Sequence, residues 1–168
     1  MDYVVLVDEN DLELGTMEKL QAHELGLLHR AFSVFVFNSN NELLIHKRAE
    51  GKYHSGGLWT NSCCSHPKPN EHFQDAAIRR VKEELGMEIS GVNKIGKLIY
   101  KVELDNNLTE HEYDYILTTK SDERPDLNPE EASEYLYKSI DIIKQEMKEK
   151  PDQFTFWFKQ ILLEGDYF

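Results

Sequence analysis

The sequence predicts a single α/β (α+β) domain over residues 1–168, a mixed β-sheet sandwiched between helices. Three observations predict it. Short β-rich apolar runs alternate with turns built on Asn, Asp and Gly. From Phe73 onward, Phe73, Ala77, Ile78, Val81 and Leu85 recur at steps of three and four, which marks one apolar face of a helix over about 71–86. No repeat, low-complexity tract or linker divides the 168 residues, a length that suits one domain with a sizeable core.

In chain order, Tyr3–Val7 reads as a strand closed by Asp8-Glu9-Asn10, and Leu14-Gly15-Thr16 as a second short strand. Met17–Leu25 holds a helical turn with His23 near its end, before Gly26. Arg30–Asn38 and Glu42–Arg48 flank Ser39-Asn40-Asn41 and predict a hairpin. Residues 49–58 carry Gly51, Gly56 and Gly57 and read as a loop. Pro67 and Pro69 forbid a helix before about residue 70, so Cys64 and His66 are expected on a loop leading to a helix N-terminus. Arg80 and Glu84, four apart, share a second face of that helix, and Gly86 stops it. Lys94–Leu104 and Glu110–Thr119 are strands returning on each other through Asp105-Asn106-Asn107. Asp122–Pro129 is a polar connection, Tyr135–Lys138 a last strand, and Ile140–Lys150 a helix spaced on Ile140, Ile143 and Met147. Pro151 ends it, and Asp152 is expected to cap a final helix running to Leu163 and Gly165.

A formal net charge of -12 argues against nucleic-acid partners and against docking on anionic membranes. No apolar run approaches the roughly 20 residues of a membrane span. The start MDYVVLVDEN lacks the basic residues of a secretory signal, so a cytoplasmic protein is expected. Cys63 and Cys64 are the only cysteines. Adjacent Cα atoms lie about 3.8 Å apart, too close for an ordinary disulfide. Two free thiols fit a reducing compartment.

Any metal must therefore rely on histidine and carboxylate. His23, His29 and His66 are candidates, and Glu110 and Glu112, two apart on a strand, aim at one face. Two such carboxylates repel unless a cation or proton lies between them. That donor set suits a divalent ion of intermediate softness, Zn²⁺ or Mn²⁺; surface histidines beside a solvated acidic edge are the plainer alternative. His46, His54 and His72 have no evident partners, and His111 should point away from the two glutamates. Cys64, two residues before His66, is the more reactive cysteine if a helix N-terminus activates it, and otherwise a small buried hydrophobe.

The helix charges carry a more specific signal. Glu71 precedes Arg79 by eight residues, and Glu83, Glu84 and Gly86 follow, a spacing that resembles the Nudix box. Ser65 stands where that motif begins with Gly, and Arg80 where it places the first Glu of its Arg-Glu run. The second change removes a metal ligand and adds a guanidinium that can clamp a diphosphate. Over nearly the whole chain, AHELGLLHRAFS, LLIHKRA, LWTNSCCSHP, AAIRRVKEELG, Glu110-His111-Glu112 and FTFW together resemble the type I isopentenyl-diphosphate Δ-isomerases, Nudix-fold enzymes that do not hydrolyse their substrate. In this chain Ser55 and Gly56 replace the Trp-Pro of that family.

The resemblance implies one divalent metal, Mn²⁺ or Zn²⁺, on His23, His29, His66, Glu110 and Glu112, and Mg²⁺ on Glu84. It implies Cys64 and Glu112 as the catalytic pair, Tyr100 as their helper, and Trp157 as the π face for a carbocation. Lys19, Arg48, Lys52 and Arg80 are the implied diphosphate contacts. The implied substrate is an isoprenyl diphosphate, with a monomer expected. Protonation of isopentenyl diphosphate at C4 gives a tertiary cation at C3, and loss of a C2 proton gives dimethylallyl diphosphate. Glu112 would donate and Cys64 accept, with roles reversing with direction. On residues alone, Trp157 suits core packing equally well. The rival functions are a Nudix pyrophosphohydrolase acting on a nucleoside or other diphosphate and a non-catalytic metal-stabilised module.

Overall fold

A computed structural model describes residues 2–168. The strands are β1 (Tyr3–Val7), β2 (Glu13–Glu18), β3 (His29–Phe37), β4 (Leu43–Arg48), β5 (Trp59–Thr60), β6 (Cys63–Ser65), β7 (Asn93–Glu103), β8 (Thr109–Lys120) and β9 (Ala132–Lys138). The helices are α1 (Lys19–Leu25), α2 (Phe73–Leu85), α3 (Ile140–Glu149) and α4 (Phe156–Lys159), the last continued by a π turn at Gln160–Glu164.

The centre of the sheet is β3. It runs parallel to β8 from His29↔Glu112 to Phe37↔Lys120, and β6 lies antiparallel to it at Phe32↔Ser65, Ser33↔Cys64 and Val34↔Cys63. β7 extends the sheet beyond β8, with Tyr100 opposite Glu112. Strand alternation then sorts the side chains into two layers. Phe32, Val34 and Val36 of β3, with Tyr113, Tyr115 and Leu117 of β8, pack towards Ala76, Ala77, Val81 and Leu85 of α2. Phe35 and Ile116 pack the other way, against Ile143, Met147, Trp157 and Phe158. The same alternation separates the two cysteines: Cys63 enters the α2 layer, and Cys64 borders the layer of α3 and α4.

Three expectations need correction. The predicted hairpin pairs only at Phe37↔Leu43, after which β4 leaves to pair with β5 and β9. β3 already has β6 and β8 on its two edges, so β4 cannot continue beside it. Side chains satisfy the backbone where the strands splay: Ser62 Oγ accepts from Val36 N–H at 2.8 Å and donates to Leu44 O at 2.6 Å. The helix expected over about 71–86 begins at Phe73, since Asn70 turns with a positive φ of 65° and His72 is extended. Asp152 does not cap the last helix: residues Pro151–Gln153 form a 3-10 turn, and the chain then extends through Phe154 and Thr155. Phe154 is buried and bridges to Trp59, while Thr155 N–H donates to Trp59 O at 3.0 Å, and these contacts delay the helix to Phe156.

Candidate active site

Cys64 sits on β6, not on a loop at a helix N-terminus; α2 begins nine residues later. Its thiol donates to Asn61 Oδ1 at 2.9 Å and accepts from Trp157 Nε1 at 3.1 Å, with Ser33 Oγ 3.5 Å away. Ser33 in turn donates to Asp114 Oδ2 at 2.7 Å. Burial pushes the thiol well above its ordinary range, and the Asp114 charge adds to that push. The expected activation by a helix terminus is therefore absent, and burial favours the protonated thiol. Asn61, Ser33 and Asp114 escaped sequence reasoning because only the β3–β6–β8 register brings them behind the thiol.

His23 on α1, His29 at the start of β3, His66 after β6 and Glu112 on β8 converge so that one donor atom from each lies within 4.8 Å of all the others. A second set, His23, His54 and Glu110, meets the same criterion. His54 comes from the loop over residues 49–58 and is 4% exposed, with Nε2 3.2 Å from Glu110 Oε1. The sequence offered no signal for it, because that loop has no periodicity to reveal which side chain turns inward. His46 is a core histidine bound to Ser62 O, and His111 points away to Gly26 O, as expected.

The residues fit a divalent ion. Nδ1 of His23 binds Lys19 O and Nδ1 of His29 binds Leu27 O, each at 2.8 Å, which leaves each Nε2 lone pair free. Those two Nε2 atoms and that of His54 are buried without a hydrogen-bond partner. Orphaned imidazole nitrogens directed at carboxylates, with the opposite nitrogen fixed by a carbonyl, are the arrangement of metal ligands.

Tyr100 ties the two glutamates together, its hydroxyl lying 2.7 Å from Glu112 Oε2 and 3.0 Å from Glu110 Oε2. Burial raises the Glu110 carboxyl, and the charge of Glu112 raises it further. Burial would raise Glu112 too, but the imidazoles of His29 and His66, at 3.6 and 3.0 Å, outweigh it and hold Glu112 well below the carboxylate range. Burial also keeps His46, His54 and His66 neutral, with pKa values depressed to about 4, 3 and 4. A histidine depressed in the folded state stabilises fully above its unfolded value near 6.5 and loses that stability as pH falls towards the folded value. The Tm of metal-stripped protein should thus fall steeply between about pH 6.5 and 4. A scanning-calorimetry series would check this, and a Tm flat across that window would contradict neutral burial.

Cys64, His54, His66, Tyr100, Glu110 and Glu112 line a cavity of about 370 Å³ that also takes in Lys19, Arg48, Lys52, Arg80, Glu84 and Trp157. Lys19, Lys52 and Arg80 are held by carboxylates. Lys52 Nζ donates to Glu131 Oε2 at 2.5 Å, and Arg80 reaches Glu131 Oε1 at 3.2 Å. Glu131 thus occupies both cations, as a bound anion would. Lys19 lies 3.4 Å from Asp2, and Arg48, buried, stands 5.4 Å from the Trp157 ring centroid. Glu84, also buried, accepts from Arg80 Nη2 at 2.6 Å and Nε at 3.1 Å; burial raises its carboxyl. Glu71 binds Arg79 through both oxygens, which explains the spacing of eight: the loop acid closes back onto the helix.

A family model described as the NUDIX domain matches residues 27–158. The chain is 51% identical over 156 residues to an isopentenyl-diphosphate Delta-isomerase of Pectobacterium atrosepticum, covering 93% of this chain and 87% of that protein. It is 48% identical over 172 residues to an isopentenyl-diphosphate Delta-isomerase of Aliivibrio fischeri, covering 95% and 92%. Among solved structures, a Deinococcus radiodurans protein aligns with a TM-score of 0.73 at 20% identity, over 88% of this chain and 90% of that one. A MutT protein from Methanosarcina mazei aligns at 0.68 and 16% identity, over 83% and 93%. At such identities the structural likeness concerns the fold. No helix among the described residues is long and apolar enough to cross a membrane.

Proposed function

The chain belongs to the Nudix family and, within it, to the isopentenyl-diphosphate Delta-isomerases; on that footing we propose that it interconverts isopentenyl and dimethylallyl diphosphate by proton transfer at C4 and C2 across the cavity between Cys64 and Glu112. The observation that carries this reading is the composition of that cavity: a thiol, a carboxylate with its tyrosine, and an indole share one wall system with a cluster of cations. Arg80 replaces a carboxylate of the hydrolytic motif and binds Glu84, which supports isomerisation over hydrolysis.

Lys19, Arg48, Lys52 and Arg80 bind the diphosphate in this scheme, and the substrate displaces Glu131 from Lys52 and Arg80. Glu84, which lines the cavity beside Arg80, would hold Mg²⁺ jointly with phosphate oxygens of the substrate. His23, His29, His66, Glu110 and Glu112 would hold Mn²⁺ or Zn²⁺. When bound there, the ion neutralises the two carboxylates and fixes their orientation.

Glu112 in its acid form, its carboxyl hydrogen-bonded to the Tyr100 hydroxyl, delivers a proton to C4 and leaves a tertiary cation at C3. Cys64, entering the forward step as its thiolate, takes the C2 proton and becomes the thiol that donates in the reverse step. With Cys64 protonated and Glu112 ionised the same pair runs the reaction backwards: the thiol gives a proton to C2 of dimethylallyl diphosphate and Glu112 takes one from C4. Both orders use the same pair of residues and run in opposite directions. The Trp157 ring, 2% exposed and held by hydrogen bonds from Nε1 to Thr60 and Cys64, gives the cation a dry π face worth about 2 kcal/mol or more when desolvated.

The test is incubation with isopentenyl diphosphate and Mg²⁺ in D₂O, followed by proton NMR. Dimethylallyl diphosphate bearing deuterium in a methyl group is expected. Unchanged substrate, with metal content verified, would overturn the isomerase reading and turn attention to nucleoside diphosphates.

A further inference from the structure

His54 is the histidine that the resemblance does not use, yet it is buried at the metal cluster. Its position is built by its own loop. Ser55 adopts a left-handed φ of 52° and places Oγ 3.3 Å from His54 Nδ1. A Cβ on Gly56 would lie 2.6 Å from Glu50 O, so this turn admits no side chain there. Arg48 Nη2 holds the His54 carbonyl at 3.2 Å. With Nδ1 engaged by Ser55, the lone pair on Nε2 faces Glu110 Oε1 and His23 Nε2, and among the described residues Nε2 has no hydrogen-bond partner.

We infer that His54 Nε2 joins the ion held by His23, making a site of four imidazoles and two carboxylates that leaves no position for water. This rests on the reading of the His/Glu cluster as a metal site. Two observations direct both donor sets to one ion. His23 has a single free nitrogen, since Nδ1 is spent on Lys19 O, and that nitrogen belongs to both sets. Glu110 and Glu112 both turn Oε2 to Tyr100, which leaves one Oε1 each for the cluster, Glu110 towards His54 and Glu112 towards His66. Opposite donors on a divalent ion sit roughly 4.2 Å apart, twice a metal–nitrogen bond. Within each set the donors already lie inside 4.8 Å, and His23 is common to both, so one ion on His23 draws the His54–Glu110 pair towards the His29–His66–Glu112 set. Six donors depart from the tetrahedral geometry that Zn²⁺ prefers and favour Mn²⁺.

The experiment titrates metal-stripped protein with Mn²⁺, reading free Mn²⁺ by electron paramagnetic resonance and bound water by proton relaxation. The wild type is expected to bind one tight equivalent with low relaxivity. His54→Ala should bind one equivalent about tenfold or more weaker, with raised relaxivity as water enters the opened position. Ser55→Ala should weaken binding less. Unchanged affinity and relaxivity in His54→Ala would overturn the inference. Two tight equivalents in the wild type would also overturn it, by making His54 part of a separate site. High relaxivity in the wild type would do so without recourse to any variant. His66→Ala separates the underlying reading: if it binds Mn²⁺ as the wild type does, the cluster is not the metal site at all.

Discussion

Cys64→Ala is expected to lower kcat by about 10³-fold or more, because it deletes one of the two groups proposed to transfer protons and leaves nothing to replace it. The fold should survive. β6 is held to β3 through its backbone, and Cys63, not Cys64, fills the α2 layer. The neighbours of the thiol keep partners: Trp157 Nε1 retains Thr60 Oγ1 at 3.1 Å, and Asn61 Oδ1 retains the Thr60 hydroxyl at 3.1 Å. Turnover by NMR, Tm by circular dichroism and metal content by elemental analysis would be measured on one preparation. Wild-type turnover in this variant would remove Cys64 from the mechanism.

Glu112→Gln should produce a loss of similar size by a different route. The carboxamide preserves shape and an acceptor for the Tyr100 hydroxyl, but it neither carries the proton nor brings a charge to the imidazoles of His29 and His66. Metal affinity and kcat should fall together in dilute metal. The discriminating measurement is activity at saturating Mn²⁺ and Mg²⁺. If kcat recovers there, Glu112 serves only as a ligand and the proton-transfer role fails; if occupancy returns and kcat remains about 10³-fold low, both roles stand.

Glu110 and Glu112 were legible because strand alternation is local: two residues apart on β8 means one face, whatever β8 packs against. The apolar face of α2 was legible for the same reason. Ala77, Val81 and Leu85 are buried where the repeat predicts, and Phe73 and Ile78 pack at the margin. Arg80 and Glu84 were correctly placed on one face, but that face is not simply solvated, since Glu84 is buried and Arg80 also reaches Glu131 across the cavity. His54 and Glu131 were not legible at all. Both sit in irregular segments, where direction comes from turns such as the left-handed Ser55 and not from a period.

By itself, then, the sequence determined the strands, the amphipathic helix and the family pattern, because periodicity, turn chemistry and residue spacing are properties of neighbouring positions. Tertiary structure alone decided how deeply the ionisable groups of the site are buried and which side chains converge there. The pKa of Cys64 depends on burial between β3, β6 and α4, and the company of His54 depends on how one loop folds back over Glu110. Charge states and ligand sets are sums over neighbours distant in sequence, and only the packed chain brings those neighbours together.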